Sequence, residues 1–191
     1  TEVILHIVRC FEDDNVVHVE GSIDPIRDVE IIEQELLFAD LDAVVKRIET
    51  LKKKAKGNDK DAKDQLTVAE ALLEHIETGD PVSTFEDIES DAFKAMNKDL
   101  RLLTSKEIMY GANVDEDGLA EDNEFVKVLK AYAAERNSEV IKLCAKVEEE
   151  MVDFDEDEKQ EMLNDLGVAE SGLDQIIHKG FDKLGLMSYF T

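Results

Sequence analysis

Two short polar segments of this chain carry residue types that could do chemistry together. Asn113, Val114 and Glu116 close the apolar run Ile108-Met109-Tyr110-Gly111-Ala112. Cys144, Ala145 and Lys146 close a later run, Val140-Ile141-Lys142-Leu143. In open α/β sheets ligands sit beyond the carboxyl ends of the strands. Two polar loops at adjacent strand ends can therefore meet on one ligand. The other reading, that both are ordinary strand-to-helix turns, stays open on spacing alone.

Motifs that cradle phosphate are missing. None of the 9 glycines is followed by lysine, which excludes a P-loop within these residues. There is no G-x-G-x-x-G, no G-x-S-x-G and no H-E-x-x-H. Asp153, Asp155 and Asp157 imitate the start of a calcium loop. The loop's sixth position is Glu158 rather than Gly and its twelfth is Asn164 rather than Glu, so a solvated acidic loop is the better reading. Asp115 and Gly118 match D-x-x-G, a pattern short enough to arise by chance. No metal site is expected in this chain.

The elements that must position these residues follow from periodicity. Val3 to Phe11 reads as a buried strand, rich in Ile, Val and Leu. Asp24-Pro25 is a helix start, with Asp24 as cap and Pro25 in the first helical position. From Ile26 to Lys56, apolar residues recur at three- and four-residue steps, which predicts one long helix. Gly57-Asn58-Asp59 breaks it, and a second helix follows over about 60–77. Two long helices joined by a short glycine turn predict an antiparallel hairpin. A shorter helix is expected over about 90–100, a strand over 107–113, an amphipathic helix over 123–135 and a strand over 140–145. Two helices should follow, over about 147–166 and 172–184. Strands alternating with helices predict a parallel sheet with crossover helices.

Composition bounds the rest. The chain has 191 residues, 43% of them hydrophobic, with 9 Gly and 2 Pro, which suits a helix-rich globular fold that needs no disulfide or metal to hold its core. Cys10 and Cys144 both lie in apolar runs and read as reduced core thiols. No run approaches a membrane span, and the first residues lack the basic flank and cleavage site of a signal peptide. The chain opens directly in a strand pattern, which suggests a piece cut from something longer. Against 47 acidic residues stand 22 basic ones, a net charge of −25 that repels DNA and anionic membrane. Lys52, Lys53, Lys54 and Lys56, with Lys46, Arg47, Lys60 and Lys63 around them, make a basic tip on the hairpin. That tip is either a solvated helix face or the one place where a polyanion could dock.

Longer stretches carry a family resemblance. Phe11-Glu12-Asp13-Asp14-Asn15, then His18-Val19-Glu20-Gly21-Ser22-Ile23-Asp24-Pro25-Ile26-Arg27-Asp28, then Ala112-Asn113-Val114-Asp115-Glu116-Asp117 resemble the Obg-like ATPases of the YchF type. These are P-loop NTPases of the translation-factor class. The likeness continues through Glu170-Ser171-Gly172-Leu173-Asp174 to Tyr189-Phe190-Thr191, so it covers essentially the whole chain. It implies part of a G-domain parallel sheet with an inserted coiled-coil-like helical hairpin, without the P-loop, the switch regions or most of a TGS domain. Residues 1–25 would be the first strand and loop of this half G domain, and 26–104 the helical insertion. Residues 105–187 would complete the G-domain part and 188–191 would begin the TGS domain.

The resemblance also assigns roles. Related GTPases read guanine with Asn-Lys-x-Asp, whose carboxylate accepts two hydrogen bonds from the base. Here the last position is Glu116, whose longer side chain misplaces the carboxylate. Asn113 keeps an amide, whose donor and acceptor suit the N7 edge of adenine. The resemblance implies ATP over GTP. Asn113, Val114 and Glu116 would bind the base, and Cys144, Ala145 and Lys146 would wall it, with Cys144 standing where many NTPases have serine. Phe11 is a candidate to stack near the base, though a strand-end aromatic is more often core. His18 is the candidate to orient the attacking water, with a loop histidine of no catalytic role as the alternative. Magnesium would be held by residues outside this chain. The implied whole is a cytoplasmic, ribosome-associated ATPase whose basic hairpin tip, at Lys52, Lys53, Lys54 and Lys56, contacts ribosomal RNA. This chain alone should not hydrolyse ATP. The rival expectation is a non-enzymatic helical docking module for the ribosome or a protein partner.

Overall fold

The computed structural model describes residues 2–13, 22–57 and 59–185. They divide into two compact units, one of residues 1–29 with 108–191 and the other of residues 30–107.

The first unit is built on a three-stranded sheet in the order β1 (Val3–Arg9), β2 (Glu107–Asn113), β3 (Glu139–Leu143). β2 and β3 run parallel, with Gly111 opposite Ile141 and Asn113 opposite Leu143. Alternation along β2 and its continuation puts Tyr110, Ala112 and Val114 on one face. There they join Val8 and Cys10 in a core with Val126, Leu129, Tyr132 and Ala133 of α5 (Glu124–Glu135). Tyr110 meets Tyr132 edge-on, with centroids 6.2 Å apart. The Arg136 guanidinium covers the same Tyr132 ring at 3.5 Å. The other face is crowded at Gly111. A Cβ there would lie 2.6 Å from Ile7 Cδ1 and 3.0 Å from Leu143 Cδ2, so the neighbouring strands close over a residue without a side chain.

Between β2 and α5 lies a short helix, α4 (Glu116–Ala120), which the periodicity does not announce. After β3 come α6 (Ala145–Glu150), a 3-10 turn at Met151–Asp153, α7 (Glu156–Asp165) and α8 (Gly172–Lys183). The single helix expected over 147–166 is therefore two. Asp155 explains the break. Its side chain accepts the N–H groups of Asp157 and Glu158, while Glu158 accepts the Asp155 N–H at 3.0 Å. This reciprocal cap starts a new helix and turns the chain before it. The acidic triplet that imitates a calcium loop is thus part of a helix start.

The second unit holds most of α1 (Pro25–Ala55), with α2 (Lys60–Glu77) and α3 (Asp91–Leu100). At 1.5 Å per residue α1 is about 46 Å long. It and α2 form an antiparallel hairpin. Val44, Ile48 and Leu51 of α1 pack on Ala69, Leu72 and Ile76 of α2, and Phe85, Phe93, Met96 and Leu102 close this core. Asp59 caps α2 through the Ala62 N–H, and Ser90 caps α3 through the Phe93 N–H. One charged group lies deep in the unit. Asp40 is 2% exposed, and its carboxylate accepts the N–H of Leu103 and the N–H and hydroxyl of Thr104, each at 2.7 Å. The Thr104 hydroxyl in turn accepts the Val82 N–H at 3.0 Å. The chain from α3 to β2 is pinned to the middle of α1 by this network.

Among the described residues no helix is long and apolar enough to cross a membrane.

Candidate functional site

Parallel pairing in register makes β2 and β3 end side by side. The Val114 N–H donates to the Leu143 carbonyl at 2.9 Å, carrying the ladder one step past the strands. From the other side the Cys10 N–H donates to the Asn113 carbonyl at 2.7 Å. Asn113 is therefore held through its backbone at the meeting point of all three strands. Its side chain reaches across to the next loop, where Oδ1 accepts the Ala145 N–H at 3.0 Å. The Asn113 amide oxygen thus spends one of its lone pairs inside the protein. The NH2 group of Asn113 remains the part of the amide with donors to offer a ligand. The same bond also uses the Ala145 N–H, the first N–H of α6.

Glu116 and Lys146 close a second bridge between the loops, with Oε1 2.7 Å from Nζ. Lys146 also lies 3.9 Å from Glu150. Hydrogen bonding and charge from Glu116, with Glu150 adding to the charge, raise the Lys146 pKa above the ordinary lysine value. Both partners are well exposed, so the pair is screened and adds little to stability. Its interest is chemical, because it places a carboxylate and an ammonium at the rim of the Asn113 loop. Asp115 is used structurally: its Oδ1 accepts the Gly118 N–H at 2.9 Å and caps α4. The D-x-x-G match is this cap. Cys144 is buried, caps α6 without a side-chain hydrogen bond, and is a free thiol. Cys10 is also buried and free, and burial pushes its thiol up to about 12.

Asn123 is a residue that the sequence reading passed over. Its Oδ1 accepts the Val126 N–H at 2.9 Å and caps α5, while its Nδ2 donates to the Cys10 carbonyl at 2.7 Å. It ties the end of β1, where Phe11 departs, to the helix that backs the sheet. The signal was present, since Asp122-Asn123 stands directly before an amphipathic run. Its neighbour Asp122 pairs with Lys130 and, at 3.0 Å, with Lys142. The hydrogen bond from Lys130 is the largest cause holding the Asp122 carboxyl below its ordinary value, and Lys142 adds to it.

Among the described residues, none of the remaining expected site residues has a side-chain bond to these two loops. Phe11 is half-buried beneath the Arg9 guanidinium, which sits 4.9 Å from its ring centre, and the Arg9 Nε donates to the Phe11 carbonyl at 3.1 Å. His18 lies outside the described residues. Lys52, Lys53 and Lys54 occupy the last turn of α1, and Lys56 the turn after it, all exposed and all in the second unit. Lys52 is paired with Glu70 at 2.9 Å. Lysines at a helix C-terminus also offset its dipole, which is the structural use of such a run. Among the described residues no group of three or more His, Cys, Asp or Glu is placed to hold a metal ion.

The chain is 45% identical over 192 aligned residues to the ribosome-binding ATPase YchF of Bacillus subtilis, with all of this chain covered. It is 42% identical over 191 residues to the protein of the same name from Escherichia coli O157:H7. Along its whole length the chain is similar to these YchF proteins. It spans about half the length of the curated relatives it matches, 52% in each of these two. The structure of the Schizosaccharomyces pombe YchF GTPase superposes on all of this chain with a TM-score of 0.81 at 32% identity, again over 52% of that protein. The α/β sheet with its inserted helical hairpin is thus the fold of the corresponding part of a YchF protein. No family model matches the chain. The bacterial relatives are named ATPases and the yeast protein is named a GTPase.

Proposed function

We propose that this chain carries the base-reading loops and the helical insertion of a cytoplasmic, ribosome-associated nucleotide hydrolase that uses ATP, and GTP less well. The observation that carries the reading is the convergence of Asn113, Glu116, Ala145 and Lys146 on two adjacent strand ends, joined by the Asn113–Ala145 hydrogen bond and the Glu116–Lys146 ion pair. The Asn113 amide NH2 would donate to N7, which both purines share, so the choice between them falls to Glu116 and its lysine. Val114 and Cys144 would complete the walls. ATP phosphates and Mg2+ would be held by residues outside this sequence, and this chain alone would not turn over nucleotide. His18 would orient the attacking water, and Phe11 would flank the base.

Calorimetric titration with ATP, GTP and ADP in magnesium buffer tests this. It would be run on this chain and on a chain of the relatives' full length. The long chain should bind adenine nucleotides more tightly than guanine nucleotides, and the short one weakly or not at all. Equal affinity of the long chain for both purines would overturn the base assignment.

A second reading is favoured by the separate core of the α1–α2–α3 unit. The hairpin can serve as a docking module, with Lys52, Lys53, Lys54 and Lys56 against ribosomal RNA. Reversing three of these charges should abolish ribosome co-sedimentation, and an unchanged pellet would remove the patch from the proposal.

A further inference from the structure

α1 presents two faces. One holds Val44, Ile48 and Leu51 in the core of its unit. The other carries Ile31, Phe38 and Val45, which are 38%, 65% and 38% exposed. Residues seven apart on a helix drift by only about 20° per step, so these three form one stripe. A lone exposed apolar residue is ordinary, but an aromatic ring in line with two branched aliphatics is an unpartnered seam. Glu35, Asp42 and Glu49 each stand four residues beyond a stripe residue, on its flank, and all three are exposed. None of them takes part in a salt bridge among the described residues.

That row of carboxylates selects the occupant. A second copy would bring three more carboxylates to the seam of a chain already at −25. Ribosomal RNA and an anionic lipid surface are repelled for the same reason. The charge pattern fits a helix with apolar residues at heptad spacing and Lys or Arg beside them, as acidic and basic flanks fit across a coiled-coil seam. We infer that the Ile31–Phe38–Val45 stripe of α1, with its Glu35–Asp42–Glu49 flank, is a docking surface for a basic amphipathic helix of another protein. Its residues are other than those of the base-reading loops.

The probe is a three-heptad fluorescent peptide with Leu at the core positions and Lys at the flanks, set against a counterpart with Glu at the flanks. Fluorescence anisotropy would be read on this chain and on the relatives' full-length form. The Lys peptide should bind both. Phe38→Ser, which leaves the charge unchanged, should weaken it about tenfold or more. The triple variant Glu35→Lys, Asp42→Lys, Glu49→Lys should lose the Lys peptide and gain the Glu peptide. Thermal melting checks that each variant is folded. Undiminished binding by Phe38→Ser, or no exchange of preference in the triple variant, would overturn the proposal. A dimer in sedimentation that Phe38→Ser dissolves would assign the stripe to a second copy instead. Binding by this chain but not by the long form would assign it to a contact within the longer protein.

Discussion

Asn113 holds its loop and, in the proposed function, reads a base, and two substitutions separate these tasks. In Asn113→Ala the Oδ1 acceptor is lost and the Ala145 N–H, 3.0 Å away, loses its partner. A neutral hydrogen bond of this kind contributes about 1 kcal/mol net, and water can reach the orphaned N–H at this rim. For a chain of this size the loss corresponds to a melting shift of about 2–4 °C. Asn113→Asp keeps an oxygen in the same place, so the Ala145 bond survives and the melting temperature should stay within about 1 °C of the parent. The aspartate has no NH2, however, and would set a carboxylate oxygen against purine N7, itself an acceptor. That change costs about 1–3 kcal/mol, or about five- to 150-fold in nucleotide affinity. The assay pairs differential scanning fluorimetry of this chain with calorimetric ATP titration of the full-length form. If Asn113→Asp melts as low as Asn113→Ala, the Ala145 bond is not the structural role of the side chain. If Asn113→Asp is stable yet binds ATP unchanged, Asn113 does not face the base.

Other outcomes follow from the same geometry. Asp40→Ala orphans two backbone N–H groups and a hydroxyl inside the hairpin unit and should cost about 3–5 kcal/mol in denaturant unfolding, while a loss below about 1 kcal/mol would mean that water replaces the carboxylate. The Asp122 carboxyl is depressed in the folded state, so its contribution is fully present above the unfolded value of about 3.9 and is lost as pH falls from there through the folded value. Asp122→Asn should therefore lower stability at neutral pH and flatten the acid limb of a stability-versus-pH curve, and an unchanged limb would exclude the Lys130–Asp122–Lys142 pairing as its source. If the proposed function holds, His18→Ala in a chain of the relatives' full length should lower the turnover number with little change in ATP affinity, and an unchanged turnover number would end the water-orienting role.

Local sequence was enough for most elements, because periodicity and caps act over a few residues. The helix expected over 123–135 is α5 at Glu124–Glu135, with Asn123 as its cap, and the strand expected over 107–113 is β2. The hairpin was legible from two apolar stripes and a glycine turn. The break between α6 and α7 was not, because apolar periodicity runs across it and the capping box at Asp155 decides otherwise. Sequence alone put Asn113 and Glu116 at one strand end and Ala145 and Lys146 at another. Only the tertiary structure decided that β2 and β3 lie side by side in register, since strand pairing joins residues far apart in the chain. It decided as well that the Asn113 oxygen turns inward to Ala145 and that Glu116 is held by Lys146, since side-chain partners depend on which loops meet. Asp40 makes the same point. Aspartate in a helix is ordinarily solvated, and only the approach of Leu103 and Thr104 makes its burial tolerable, because three donors replace the water it loses.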